Sequence, residues 1–209
     1  MKKDLILLGA GGHCHSVIDV IEAQNIFSIV GILDKEDKIG MRVLGYEVIG
    51  TDDHLKNLKK KNLYFLVTIG AIKSSLARKT IFLTLLKEGF KMPTIISPLA
   101  HVSRNSSIGK GTVIHHFSMI NSNANIGDNC IINTGAILEH DSRIGDHCHI
   151  STGAIINGGV SVENECFIGS GAVVIQNITI GSNSIVGAGS LINKNLSGNN
   201  TYFGVPVKT

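Results

Sequence analysis

No tryptophan occurs in this 209-residue chain, aromatic residues make up 5% of it, and proline appears three times. A core built on large rings is therefore excluded, and aliphatic side chains must fill it. Cysteine is scarce as well: four residues, with no C-x-x-C pair to suggest a zinc ribbon or a dithiol redox centre. No block of like charge is longer than Lys59-Lys60-Lys61, which reads as a solvated helix end, and the formal net charge is +3. A nucleic-acid-binding surface is not expected on that balance. The opening MKKDLILLGAGGH holds one four-residue apolar run before glycines interrupt it, too short for a signal peptide or a membrane span. A cytoplasmic protein with free thiols is expected. Glycine is what the chain has in plenty, with 24 residues, and that excess needs a structural reason.

The chain divides into two parts that obey different rules. Residues 1–94 read as strands alternating with helices: a buried strand LILL, the turn Gly9-Ala10-Gly11-Gly12-His13, and an apolar-periodic helix through Val17, Ile18, Val20 and Ile21. Further strands fall in SIVGILD (28–34) and LYFLVTIGA (63–71), and a helical stretch runs from Ser75 to Glu88. This alternation predicts a small parallel α/β sheet of Rossmann-like type.

Residues 95–209 follow a period of six. From Val102 to Ile192 every sixth residue is a branched aliphatic, sixteen times without a slip, and two residues earlier the side chain is mostly small, as at Ala100, Ser106, Ala124, Cys130, Ala136 and Cys148. Glycine or asparagine recurs one residue after the aliphatic, for example at Gly109, Asn121, Gly127 and Gly145, where types that tolerate positive φ are expected to turn the chain. Each hexapeptide then forms one flat side, three sides close a coil of eighteen residues, and the aliphatics stack into one column. Cys130, Cys148 and Cys166 are eighteen apart and so share one inner corner, as small core residues.

The repeat, together with GAGGH near the start, the EHD triplet at 139–141 and FGVPVK at the end, resembles the hexapeptide-repeat sugar acyltransferases. The subfamily includes bacillosamine-pathway N-acetyltransferases and sialic acid O-acetyltransferases. The resemblance spans the full chain and implies an α/β domain followed by a left-handed parallel β-helix, a homotrimer with active sites between subunits, acetyl-CoA as co-substrate and a nucleotide-linked sugar as acceptor. It implies N-acetylation of a UDP- or GDP-4-amino-sugar. The alternatives are O-acetylation of a sialic-acid-type sugar and, from another class, a non-catalytic β-helix scaffold.

Three groups of residues carry the chemistry. The strand, glycine-rich turn and helix start at GAGGHCH make an anion site, because free N–H groups and the helix dipole point at the turn. Cys14 stands where G-x-G-x-x-G needs its last glycine, so a nicotinamide cofactor is not expected. The resemblance assigns Gly11, Gly12, His13, Asp34, Lys35 and Gly70 to the nucleotide-sugar, while the stretch 68–79 is longer than in UDP-sugar enzymes of this kind. His140 follows the inward Leu138 by two residues and so sits at an outer corner. An imidazole there is suited to taking a proton from a nucleophile near neutral pH, with Asp141 or Glu139 to fix its tautomer. Gly158, one coil beyond His140, leaves bare backbone beside that base. By resemblance His149, Gly158, Ser170 and Ala188 line the acetyl-CoA channel. No metal is expected, since no two histidines among 101, 115, 116, 140, 147 and 149 are five apart. His15, His54, His101, His115, His116 and His147 are taken as solvated or subunit-facing.

Overall fold

The computed structural model describes residues 2–58 and 63–208; Lys59-Lys60-Lys61 lies outside them. In the first part β1 (Lys3–Leu8), α1 (Gly12–Gln24), β2 (Phe27–Leu33), β3 (Arg42–Val43), β4 (Tyr46–Gly50), α2 (Leu55–Leu58), β5 (Tyr64–Val67) and α3 (Leu76–Lys87) follow in order. They form a five-stranded sheet, β3-β4-β2-β1-β5, parallel except for the β3–β4 hairpin. β1 is an interior strand, between β2 and β5, and consists of fully buried aliphatics from Leu5 to Leu8, as a strand covered on both faces must. Helix α1 covers one face through Val17, Ile18 and Ile21, and Phe82 and Leu85 of α3 join the core on the other.

From Ile95 onward the chain is a left-handed parallel β-helix of two-residue strands, β6 (Ile95–Ile96) through β23 (Thr201–Tyr202). Every third strand pairs in register: Met119 with Ile137, Asn125 with Arg143, Ile131 with His149. The result is a three-faced prism. Face one has seven strands, from Ile95–Ile96 to Thr201–Tyr202; face two has six, from His101–Val102 to Leu191–Ile192; face three has five, from Ser107–Ile108 to Thr179–Ile180. The sixteen aliphatics point inward, all buried except Val102 and Ile108 in the first coil. Cys130, Cys148 and Cys166 are buried in one corner, and their thiols donate to Gly145 O, Glu163 O and Gly181 O one coil on. Above the last coil Tyr202 and Val207 are buried; Val207 N donates to Leu191 O and Leu191 N to Gly204 O, so the C-terminal segment lies across the end of the prism.

The structure corrects the expectation about the turns. Positive φ falls three residues after each inward aliphatic from Ile108 to Val186, and it is adopted there by Phe117, Asp141, His147 and Glu165 as well as by glycine and asparagine. The glycines directly after the aliphatic serve a different need. A Cβ on Gly109, Gly127, Gly145, Gly169 or Gly181 would lie under 3.0 Å from the neighbouring coil, so these positions are glycine because stacked coils approach too closely for a side chain.

The α/β part rests on face one. There the outward residues Ile95, Val113, Ile131 and His149 are buried too, which is why this face lacks the alternation of apolar and polar residues seen on face three. Arg78 of α3, 1% exposed, is the main tie: its guanidinium donates to Val67 O and Ile69 O at the end of β5, and to Gly111 O and Asn129 O of the prism. Lys79 and Ser75 hold Glu165 alongside, at 2.6 and 3.1 Å.

Candidate active site

His140 and Asp141 occupy the corner between faces two and three. Asp141 has φ 61°, and this left-handed turn folds its carboxylate back onto the preceding imidazole, with Oδ2 2.8 Å from His140 Nδ1. The other oxygen, Oδ1, accepts from Asn123 Nδ2 at 2.6 Å, one coil below. The hydrogen bonds from Asn123 and His140 hold the Asp141 carboxyl below the usual carboxylate range. Glu139 is engaged elsewhere, accepting from Asn121 Nδ2 at 2.8 Å. A ring held at Nδ1 by a carboxylate keeps Nδ1–H and leaves Nε2 with its lone pair.

The imidazole lies over Gly158. A Cβ there would meet His140 Cε1 and Nε2 at 2.7 Å. The side chain is 67% exposed and borders a groove of about 500 Å³ lined also by Asn157, Gly159, Gln176 and Asn177. This corner can accept a proton at Nε2 from a group arriving in the groove.

The other expected coenzyme residues stand apart from it. Ser170 and Ala188 are exposed at the corner between faces one and two, where Ser170 Oγ pairs with Ser151 Oγ at 2.9 Å. His149 lies on face one, buried beneath the α/β part, with Nδ1 2.8 Å from Ala71 O and its ring against Phe167. One protomer thus unites Gly158 with His140 and leaves His149, Ser170 and Ala188 on another side of the prism.

The expected sugar-nucleotide residues cluster at the carboxyl ends of β1, β2 and β5. This is where open α/β sheets bind ligands. Gly11 is the N-cap of α1, without any side-chain cap, and both it and Gly12 are exposed. Asp34 accepts from Ala10 N, Lys35 N and Lys38 Nζ at 2.5, 2.7 and 3.0 Å, which fastens the end of β2 to the glycine-rich turn. Burial raises its pKa, but those donors outweigh it and the carboxyl titrates below its ordinary value. A Cβ added at Gly70 would meet His13 Cβ at 3.6 Å, so the two positions are packed together. A neighbouring groove of about 330 Å³ is lined by Gly9, Asp34, Lys35, Thr51, Asp52 and Ile69, among others.

Three histidines overturn the expectation of solvated or subunit-facing side chains. His115 is 1% exposed and its ring stands 5.3 Å from that of His13; His116 bridges Ser97 Oγ at 2.6 Å and Asp19 Oδ2 at 2.9 Å; His147 is buried against Phe82 and Asn129. All three face the α/β part of their own protomer. Burial, reinforced by the Arg78 charge and by one another, pushes His13 down to about 2 and His115 to about 4; burial and Arg78 likewise bring His149 to about 4, against the opposing pull of its Ala71 hydrogen bond. They are neutral near pH 7. The sequence reading also missed Asn123, although its place eighteen residues before Asp141 puts it directly beneath the carboxylate. Among the described residues no three His, Cys, Asp or Glu side chains are grouped to hold a metal ion, and no helix is long and apolar enough to cross a membrane.

Compared with known families, residues 4–85 match the PglD N-terminal domain, and residues 123–158 and 159–194 match the bacterial transferase hexapeptide (six repeats). No curated protein matches the chain. Among solved structures, perosamine N-acetyltransferase from Caulobacter crescentus, a variant in complex with CoA and GDP-perosamine, is 35% identical over 98% of this chain and 95% of that one, with a TM-score of 0.91. The acetyltransferase domain of PglB from Neisseria gonorrhoeae, in complex with acetyl coenzyme A, is 31% identical over 100% and 99%, with a TM-score of 0.91. WeeI from Acinetobacter baumannii, 24% identical over 99% of each chain, shares the fold with a TM-score of 0.87.

Proposed function

The chain belongs to the hexapeptide-repeat sugar acyltransferases, and from that premise we propose that it transfers acetyl from acetyl-CoA to the amino group of a UDP- or GDP-linked 4-amino-sugar, in the cytoplasm. The observation that carries this is the His140–Asp141 pair laid over Gly158 at an open corner. The sugar amine attacks the thioester carbonyl, His140 Nε2 takes the proton the amine loses, and the tetrahedral adduct expels the coenzyme thiolate, which that proton then neutralises. Asp141 steadies the imidazolium that forms in between, and Asn123 steadies Asp141. No acyl-enzyme is invoked, because Cys148 is buried in a different corner of the prism and burial pushes its thiol well above the ordinary range.

The working unit in this proposal is a homotrimer. Face two presents Met119, Ile137, Ile155, Val173 and Leu191 outward, an apolar stripe, whereas face three presents Ser107, Asn125, Arg143, Ser161 and Thr179. An apolar stripe of this kind, with Met119 exposed and the other four half-buried, calls for a protein partner. Face two is bordered on one side by the corner of His140 and on the other by the corner of Ser170 and Ala188. Threefold packing through face two therefore brings one protomer's base beside its neighbour's coenzyme residues and the neighbour's α/β part. In that crevice Gly11, Gly12, His13, Asp34, Lys35 and Gly70 hold the nucleotide-sugar, and His149, Ser170, Ala188 and Gly158 line the acetyl-CoA channel.

The test is thiol release from acetyl-CoA across GDP- and UDP-4-amino-sugars and CMP-sialic acid. Turnover with a 4-amino-sugar, reduced about 10²- to 10⁴-fold in His140→Asn, is expected. Turnover confined to sialic acids, or full activity in the variant, would refute it.

A further inference from the structure

We propose that the trimer carries one divalent transition-metal ion of the zinc class on its threefold axis, held by His101 from each of the three protomers. The proposal rests on the homotrimer described above and lies outside its acetyl-transfer site. Read upward, the outward positions of face two are His101, Met119, Ile137, Ile155, Val173 and Leu191. All but the first are apolar, and His101 pairs in register with Met119 directly above it. It stands on the first strand of the face, where the ladder ends. The side chain is exposed, and among the described residues its ring has no hydrogen bond, ion pair or ring contact within the protomer. Packing face two on copies of itself takes water from the flanks of this ring, so its nitrogens need a partner from outside their own chain.

Symmetry supplies the partner. A threefold axis through the middle of the packed faces multiplies whatever one protomer presents there. His101 lies near the middle of its six-residue side, between the corner of Leu99 and the corner of Arg104. Such a side is about 20 Å long at most, and three of them closed edge to edge set their midlines about 6 Å from the axis. Three imidazoles extended from that distance reach the axis with room for Zn–N bonds of about 2.1 Å. Three nitrogens, with a fourth position open toward the end of the prism, form a full set for an ion that favours imidazole. Hard cations want oxygen, and an anion wants N–H donors; Met119 on the rung above offers a soft thioether instead. Within one chain no three such side chains are grouped among the described residues, so the site exists only in the assembly. His140 comes 39 residues later, which sets it about 10 Å higher along the prism, at a corner rather than on the midline. The ion therefore touches neither the base nor the coenzyme residues. Because it binds only assembled chains, it draws them toward the trimer by mass action.

The test uses untagged full-length protein, stripped with a chelator, loaded with zinc or cobalt(II) and desalted. Wild type is expected to be a trimer by light scattering and to retain one zinc per three chains by elemental analysis. With cobalt(II) it should show the intense visible bands of a tetrahedral site at the same stoichiometry. His101→Leu continues the apolar stripe, so it should stay trimeric while losing the zinc, the cobalt bands and the rise in melting temperature that zinc gives wild type. Acetyl transfer by the stripped, loaded and variant proteins should agree. A wild-type trimer that holds no zinc, holds one per chain, or holds no more than His101→Leu overturns the proposal and leaves the acetyltransferase reading standing. A trimer that holds the ion and acetylates no 4-amino-sugar supports the site and refutes the reaction. A protein that is not a trimer overturns both the axial site and the shared crevice.

Discussion

Replacing Gly158 by alanine isolates the geometry of the base from its chemistry. The new Cβ would sit 2.7 Å from both Cε1 and Nε2 of His140 and 3.3 Å from Nδ1, whereas ordinary contact begins at 3.4 Å. The ring must therefore move by roughly 0.7 Å or more to reach ordinary van der Waals separation. Its one fixed point is the 2.8 Å contact with Asp141, and a displacement of that size takes the pair past hydrogen-bonding distance or swings the ring into the groove. Little in the fold resists: the side chain is 67% exposed, and Gly158 does not have the positive φ that would strain an alanine. The expected outcome is a melting curve within about 0.5 kcal/mol of wild type and a fall in kcat of about 10²-fold, the usual consequence of misplacing a catalytic group by an ångström. Thiol-release kinetics with acetyl-CoA and a 4-amino-sugar nucleotide, beside thermal denaturation, measure both. A variant that folds and keeps kcat within about threefold of wild type would mean that His140 is not the group accepting the proton.

Two further outcomes follow from the junction between the parts. His115 and His149 are held near 4 by burial, below the unfolded value of 6.5, so the unfolded chain binds more protons between those limits; their neutral burial is unpenalised above 6.5 and stability is lost as pH falls toward 4. Urea midpoints from pH 7.5 to 4.5 should fall in wild type and fall less steeply in His115→Phe, and equal slopes would contradict the assignment. Arg78→Met strands four backbone carbonyls that the guanidinium now satisfies, and should destabilise the protein by about 3 kcal/mol or more by denaturant titration.

The prism was legible because its code is local and repeated. The inward aliphatic, the small residue two before it and the glycine after it recur often enough for one coil to interpret the next. The His140 corner was legible for the same reason, since counting from Leu138 places it outside. What the count did not supply was which outer surface the α/β part covers. Histidines 115, 116 and 147 occupy outward positions, and an outward position becomes buried only through contacts with residues as distant in the chain as Asp19 and Phe82. A signal was present in the doubled aliphatics Ile95-Ile96, Val113-Ile114 and Ile131-Ile132, whose first members have no reason to be apolar unless face one is covered. The turn chemistry was misjudged because glycine has two uses, and the sequence does not distinguish an unusual φ from a lack of room. The choice between Asp141 and Glu139 likewise depended on cross-coil partners, Asn123 and Asn121, that become neighbours only once the coils stack.

The segment laid across the last coil has a consequence for size. A stack of identical rungs has no intrinsic length: its final rung offers the same unfilled amides and carbonyls as every rung before it, and a second molecule could continue the column. Here Tyr202 plugs the aliphatic shaft, while the chain from Gly204 to Val207 returns over Leu191 and takes up that rung's amide and carbonyl. A handful of non-repeating residues thus makes a finite particle out of a motif that by itself would grow as a filament.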